Sequence, residues 1–304
     1  MPTVSLYHHG FTSGMPPQNN SHTRAKRGDI KGWSESAARN NSRWLRSVNI
    51  NSLTGIGYAF TLTLRDCPES ADVWRGLYLA LFKRLERRGL IRIHWVTEWQ
   101  SRGVPHLHGV AYFPDPDAPE NIDKPFFDIN HLIQFNWCDI AGKYGASPKG
   151  QHVVRIDNVK GWFMYMAKHQ SRGARHYQRC SENVPEGWEK TGRVWGYRGD
   201  WVTDEPLKFA LSNEAFWSLR RIVRCWRVSD ARSDHPDLRS ARIVSARKML
   251  RCGARRLSSV RGLSEWISQE EMLTLILFLR SQGHGIGDYM SERDYMMQLR
   301  QPAG

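Results

Sequence analysis

Two apolar runs, LIRIHWVTEW at 90–99 and HLHGVAYF at 106–113, are joined by the turn-like QSRGVP, and this pattern commits the middle of the chain to an antiparallel hairpin. The stretches around it switch between a period of two and a helical period. YAFTLTL at 58–64 sets Phe60, Leu62 and Leu64 against Thr61 and Thr63, a strand with one buried face. Residues 72–88 repeat apolar side chains at Trp74, Leu77, Tyr78, Leu81, Phe82 and Leu85, a helix for which Gly89 supplies the stop. INHLIQFNWCDIAGKYG predicts a second helix ending near Gly142 or Gly145, HVVRI a short strand, and VKGWFMYMAKHQ a third helix.

The order from 58 to 170 is therefore β, α, β, β, α, β, α. The expected fold class is α+β: an antiparallel split βαβ sheet, RRM- or ferredoxin-like, with helices packed on one side. Residues 1–52, rich in Ser, Asn, Gly and Arg without sustained periodicity, are expected to be a flexible N-terminal arm. Residues 53–201 form the expected central domain, and 202–304 a basic, mainly helical C-terminal region in which NEAFWSLRRIVRCWRV is the clearest amphipathic segment.

Charge narrows the partner. Lys and Arg number 44 against 30 Asp and Glu, a formal net charge of +14, which favours a polyanionic ligand. Thirteen Lys or Arg against three Asp lie between Arg220 and Arg261. Five scattered cysteines without a CxxC argue for a reducing compartment and against a zinc knuckle or disulfide scaffold. The longest apolar run, LTLILFL at 273–279, is too short to span a bilayer, and neither a secretory leader nor a Walker loop is seen.

Residues two apart on a strand share a face, so His106 and His108 project together while Leu107 faces the other way. Paired imidazoles are half of a divalent metal site; a lone HxH is equally a pair of satisfied core or surface histidines. Glu98, on the preceding strand among Trp95, Val96 and Trp99, is either a third donor or an exposed residue paired with Arg102. Gln100 is an additional or alternative ligand. Two nitrogens and one oxygen with open positions suit Mg²⁺ or Mn²⁺ completed by a substrate phosphate. Tyr165 and Lys168 share a helical face, as ordinary amphipathic positions do; beside a metal and a cation, a phenol can attack phosphorus.

FTLTL at 60–64, PHLHGV at 105–110 and YMAK at 165–168 resemble, in order, the three motifs of HUH endonucleases of the rolling-circle replication initiator type. TEWQSRGVPHLHGV and KTGRVWGYRGDW are similar to their surroundings in initiators of small, including filamentous, bacteriophages; plasmid initiators are also similar. The resemblance covers roughly residues 58–201. It implies that His106 and His108 bind Mg²⁺ or Mn²⁺, with Glu98 as the acidic ligand, that Tyr165 is the nucleophile and Lys168 its partner, and that the strand of Thr61 and Thr63 is structural. It implies nicking and rejoining of single-stranded origin DNA through a 5′-phosphotyrosine in the bacterial host cytosol, with host helicase and DNA polymerase as partners. A second tyrosine one turn along is absent: His169 stands there, and Tyr177 lies further on.

Arg220, Arg221, Arg224 and Arg227 recur along one segment and are candidates for phosphate contact. Trp195, Tyr197 and Trp201, beside Arg193 and Arg198, are candidates for stacking on unpaired bases; both groups are equally a solvated face and core aromatics. Competing readings are an HUH transposase or relaxase, and an origin-binding regulator without chemistry. Histidine-triad hydrolases are disfavoured by Val110 at the third histidine position, and two-histidine phosphoesterases by the lack of paired HxS or HxT motifs.

Overall fold

Val4 and Leu6 are fully buried and alternate with Thr3 and Ser5, the period of a half-buried strand. The computed structural model describes residues 1–14, 30–118, 128–167, 178–179, 181–188, 190–251 and 262–289. In it the first of these form β1 (Thr3–Tyr7), paired antiparallel with β2 (Gly10–Gly14). Glu35–Ser47 is a helix, α1, whose N-cap Ser34 accepts a hydrogen bond from the Ala37 amide. The arm expected over 1–52 thus contains ordered elements. Its polar composition conceals two five-residue strands whose further partners come from the C-terminal region, and a helix with few apolar positions. Residues 15–29 lie outside the described residues.

The chain divides into two compact units, of which residues 25–203 form one. Its sheet has the order β6-β3-β5-β4-β7. Both β3 (Ile56–Thr63) and β4 (Arg92–Trp99) run antiparallel to β5 (Pro105–Phe113), which lies between them, so β3, α2 (Ala71–Glu86) and β4 make a split βαβ unit. After α3 (Ile129–Ala141) the chain adds β6 (His152–Arg155) to the free side of β3; after α4 (Val159–Ala167) it adds β7 (Trp195–Gly199) to that of β4.

Every residue of β4 and β5 is buried, because helices cover both faces. On one, the α2 rings of Tyr78 and Phe82 lie 6.1 and 4.9 Å from Trp95. There Trp74 Nε1 donates to Thr97 Oγ1 at 3.1 Å, and Trp137 of α3 meets Trp74 edge-on at 5.7 Å. On the other, Trp44 of α1 stacks on His94 and Tyr197 at 5.0 and 4.2 Å, with α4 beside α1. This two-sided cover corrects the one-sided packing expected from periodicity, which does not register α1. The hairpin turns at Gln100–Gly103, where the Gly103 amide donates to the Gln100 carbonyl and Gly103 takes φ 75°. Gly109 has a different role: a Cβ there would lie 2.3 Å from the Phe60 ring and 2.5 Å from the His94 carbonyl.

The other unit joins residues 1–24 to 204–304. Here β8 (Leu207–Leu211), β9 (Leu263–Glu265) and β10 (Ile286–Asp288) complete a second sheet, β10-β8-β1-β2-β9. The helices α5 (Asn213–Ser233), α6 (Pro236–Arg251) and α7 (Gln269–Ser281) account for the mainly helical character expected from the sequence. Phe11, Phe216, Leu219, Met272 and Ile276 belong to its core. The fold class is α+β, built on two antiparallel sheets.

Candidate functional site

The hairpin register sets Glu98 opposite His106 and Val96 opposite His108, while β3 sets Thr63 opposite His106 and Thr61 opposite His108. Directly paired residues share a face, so Glu98, His106, His108, Thr61 and Thr63 lie on one side of the sheet and Leu107 on the other. Glu98, His106 and His108 are 1%, 4% and 7% exposed. Their ligand atoms lie within 4.8 Å of one another, the only such group among the described residues. Glu98 Oε2 is 3.6 Å from His108 Nε2 and 4.0 Å from His106 Nε2.

Electrostatics and hydrogen bonding suit these groups to hold a cation. Burial, and then the adjacent His108, push the His106 imidazole down to about 3 although Glu98 pulls it upward. The ring is therefore neutral near pH 7, the form that ligates metal. Thr61 Oγ1 lies 2.7 Å from His108 Nδ1. With Nδ1–H donating to the hydroxyl, Nε2 keeps its lone pair on the side of Glu98.

A residue that sequence reasoning missed completes the arrangement. Arg179 Nε donates to Glu98 Oε1 at 2.6 Å, both side chains being 1% exposed. The guanidinium supplies the opposite charge that a buried carboxylate requires. Arg102, the alternative partner, instead donates to the Leu64 and Arg65 carbonyls and to Gln100 Oε1. Arg179 stands 81 residues from Glu98, outside any motif.

Tyr165 projects from α4, which buries Phe163, Met166 and Ala167. The residue is 38% exposed, its ring centred 6.3 Å from His108 and stacked on Trp162 at 5.1 Å. The tyrosine and the histidine pair, 57 positions apart in sequence at their nearest (165 − 108), are thus neighbours. Lys168, His169 and Tyr177 lie outside the described residues.

The candidate DNA contacts have diverse surroundings. Arg193 and Arg221 are exposed. Arg224 is half-buried, and Arg227 donates to Glu265 at 2.7 Å. Arg220 is 3% exposed, so its side chain is not part of an outer basic face. Arg198 faces the α2 side and donates to Glu86 at 3.2 Å. Trp195 and Trp201 are half-buried around Trp44, whereas Tyr197 is 45% exposed.

Residues 57–174 match the family described as Replication-associated protein ORF2/G2P. The Replication-associated protein G2P of Pseudomonas phage Pf3 is 42% identical over 287 residues, covering 93% of this chain and 99% of its own. A Xylella fastidiosa (strain 9a5c) protein named for a role in replication is 43% identical over 293 residues, covering 94% and 99%. The chain belongs to this replication-associated family. The family match spans β3, the histidine hairpin and α4, and it reaches Lys168. The similarity to the two relatives extends through both compact units of this replication-associated protein. No solved structure matches. No helix among the described residues is long and apolar enough to cross a membrane.

Proposed function

We propose that this replication initiator nicks and rejoins single-stranded DNA at a replication origin, with Tyr165 as nucleophile. The observation that carries the reading is the proximity of the Tyr165 ring to His108, 6.3 Å between centroids, beside the buried Glu98, His106 and His108 group. Glu98, His106 and His108 would hold the divalent cation, Mg²⁺ or Mn²⁺. The fit rests on the donor set, two imidazole nitrogens and a carboxylate oxygen buried within 4.8 Å of one another. When bound, the cation supplies Lewis-acid polarisation of the scissile phosphate.

The chain's own residues account for the rest. The Tyr165 oxygen forms a bond to phosphorus as the bond from phosphorus to the 3′ oxygen breaks. The phenol loses its proton and the departing 3′ oxygen gains one. The products are a 5′-phosphotyrosine and a 3′-OH able to prime a polymerase. The phosphodiester energy stays in the protein linkage, so a later 3′-OH reverses the step without ATP. Lys168, by resemblance to the YxxK helix, steadies the developing charge. Arg193 and Arg221 are accessible for phosphate contact, and Tyr197, though stacked on Trp44, remains 45% exposed and is the candidate for stacking on a base.

The test is a denaturing gel of the protein with Mn²⁺ or Mg²⁺ and single-stranded fragments tiling its replicon, wild type beside Tyr165→Phe. The expected result is an SDS-resistant DNA-protein band that requires the metal and is absent from the variant. Cleavage persisting in Tyr165→Phe overturns the nucleophile, and binding without cleavage by wild type favours the regulator.

A further inference from the structure

We infer that Arg179 is a positioning residue: it fixes the Glu98 carboxylate against the two histidines and ties it to the helix that carries Tyr165. The inference rests on the metal-assisted reading above and deepens it.

The carboxylate has its two oxygens in different surroundings. Oε1 accepts from Arg179 Nε at 2.6 Å, whereas Oε2 is the oxygen 3.6 and 4.0 Å from the histidine Nε2 atoms. A guanidinium that holds one oxygen sets the rotamer and therefore aims the other. The same guanidinium reaches α4, its Nη2 lying 3.5 Å from the carbonyl of Met166, the residue after Tyr165. One planar cation thus links a candidate metal ligand to the backbone beside the candidate nucleophile.

Arg179 is itself held in place. The Trp99 amide, one residue from Glu98, donates to the Gln178 carbonyl at 2.7 Å, which fastens the backbone before Arg179 to the end of β4. Trp33 lies over the guanidinium at 3.9 Å, and its Nε1 donates to the Thr97 carbonyl at 2.7 Å. Both anchors flank Glu98, so carboxylate and guanidinium share one local frame. A lysine offers a point charge without the second arm toward Met166.

The experiment uses the full chain and two readouts: Mn²⁺ binding without DNA, by titration of the free-Mn²⁺ EPR signal, and the Mn²⁺ dependence of cleavage. Proteins are wild type, Arg179→Gln, Arg179→Lys, Glu98→Gln and the Arg179→Gln, Glu98→Gln double variant, with circular dichroism reporting the fold. The expected result for Arg179→Gln is Mn²⁺ binding weakened ~10–100-fold, with the cleavage midpoint shifted to higher Mn²⁺ in parallel. Arg179→Lys, which retains the buried charge, binds between wild type and Arg179→Gln. Added to Glu98→Gln, the Arg179→Gln change costs less than about twofold more, because its effect runs through the carboxylate.

Wild-type Mn²⁺ binding in folded Arg179→Gln overturns the inference, as do losses that multiply in the double variant. Should Arg179→Gln not fold, Arg179→Lys decides: wild-type binding and cleavage there overturn the role of the fork. Wild type that binds no Mn²⁺ overturns the metal reading itself, a different failure from wild type that binds while its Arg179 variants are unchanged.

Discussion

His94 makes the core of the larger unit sensitive to acid. It is 0% exposed on β4, its Nε2 lies 2.8 Å from Asn41 Oδ1, and its ring is stacked on Trp44. Burial, and then the charge of Arg179, push its imidazole from 6.5 down to about 3. Above 6.5 the ring is neutral in both folded and unfolded chains, so the stability is fully present. Below that, the unfolded chain binds a proton that the folded one refuses, and stability falls by ~1.4 kcal/mol per pH unit until the folded pKa is reached. Between about pH 7 and pH 5 the loss from this one group is about 2 kcal/mol. His94→Gln keeps an amide for Asn41 and cannot be protonated in this range. Urea unfolding at both pH values, followed by circular dichroism, should show wild type losing about 2 kcal/mol more than the variant, even if the variant starts lower at pH 7. The contribution of His106 is common to both proteins and cancels. Parallel losses in the two would refute the claim that His94 is held neutral by its surroundings.

Other perturbations probe the site and its scaffold. Thr61→Val removes the hydroxyl at His108 Nδ1 and should weaken Mn²⁺ binding ~10-fold without loss of fold, measured by the same EPR titration. Gly109→Ala forces a methyl into the Phe60 ring and the His94 carbonyl and should destabilise by about 1–3 kcal/mol in denaturant unfolding. Arg221→Ala, at an exposed position of α5, should reduce the salt slope of single-stranded DNA binding by ~0.7, whereas an unchanged slope would remove Arg221 from the interface.

Periodicity and short motifs carried much of this protein in the sequence alone. The alternation of β3, the two apolar runs of the hairpin and the helical spacing of α2, α3 and α4 are local, since each element's buried face is written in its own residues. His106 and His108 were legible for the same reason, because two residues apart on a strand must share a face. Tertiary structure decided the rest. Whether Glu98 joins the histidines depended on hairpin register, and whether it pairs with Arg102 or Arg179 depended on where a chain 81 residues away returns. The Arg220 side chain is buried although its charge reads as surface. β1 and β2 pair with each other, but their outer partners come from β8 and β9, five and three residues long, too short for a pattern to register. Local spacing determines which way a side chain points, but pairing between distant segments determines what it meets there, because burial and charge compensation are properties of the assembled neighbourhood.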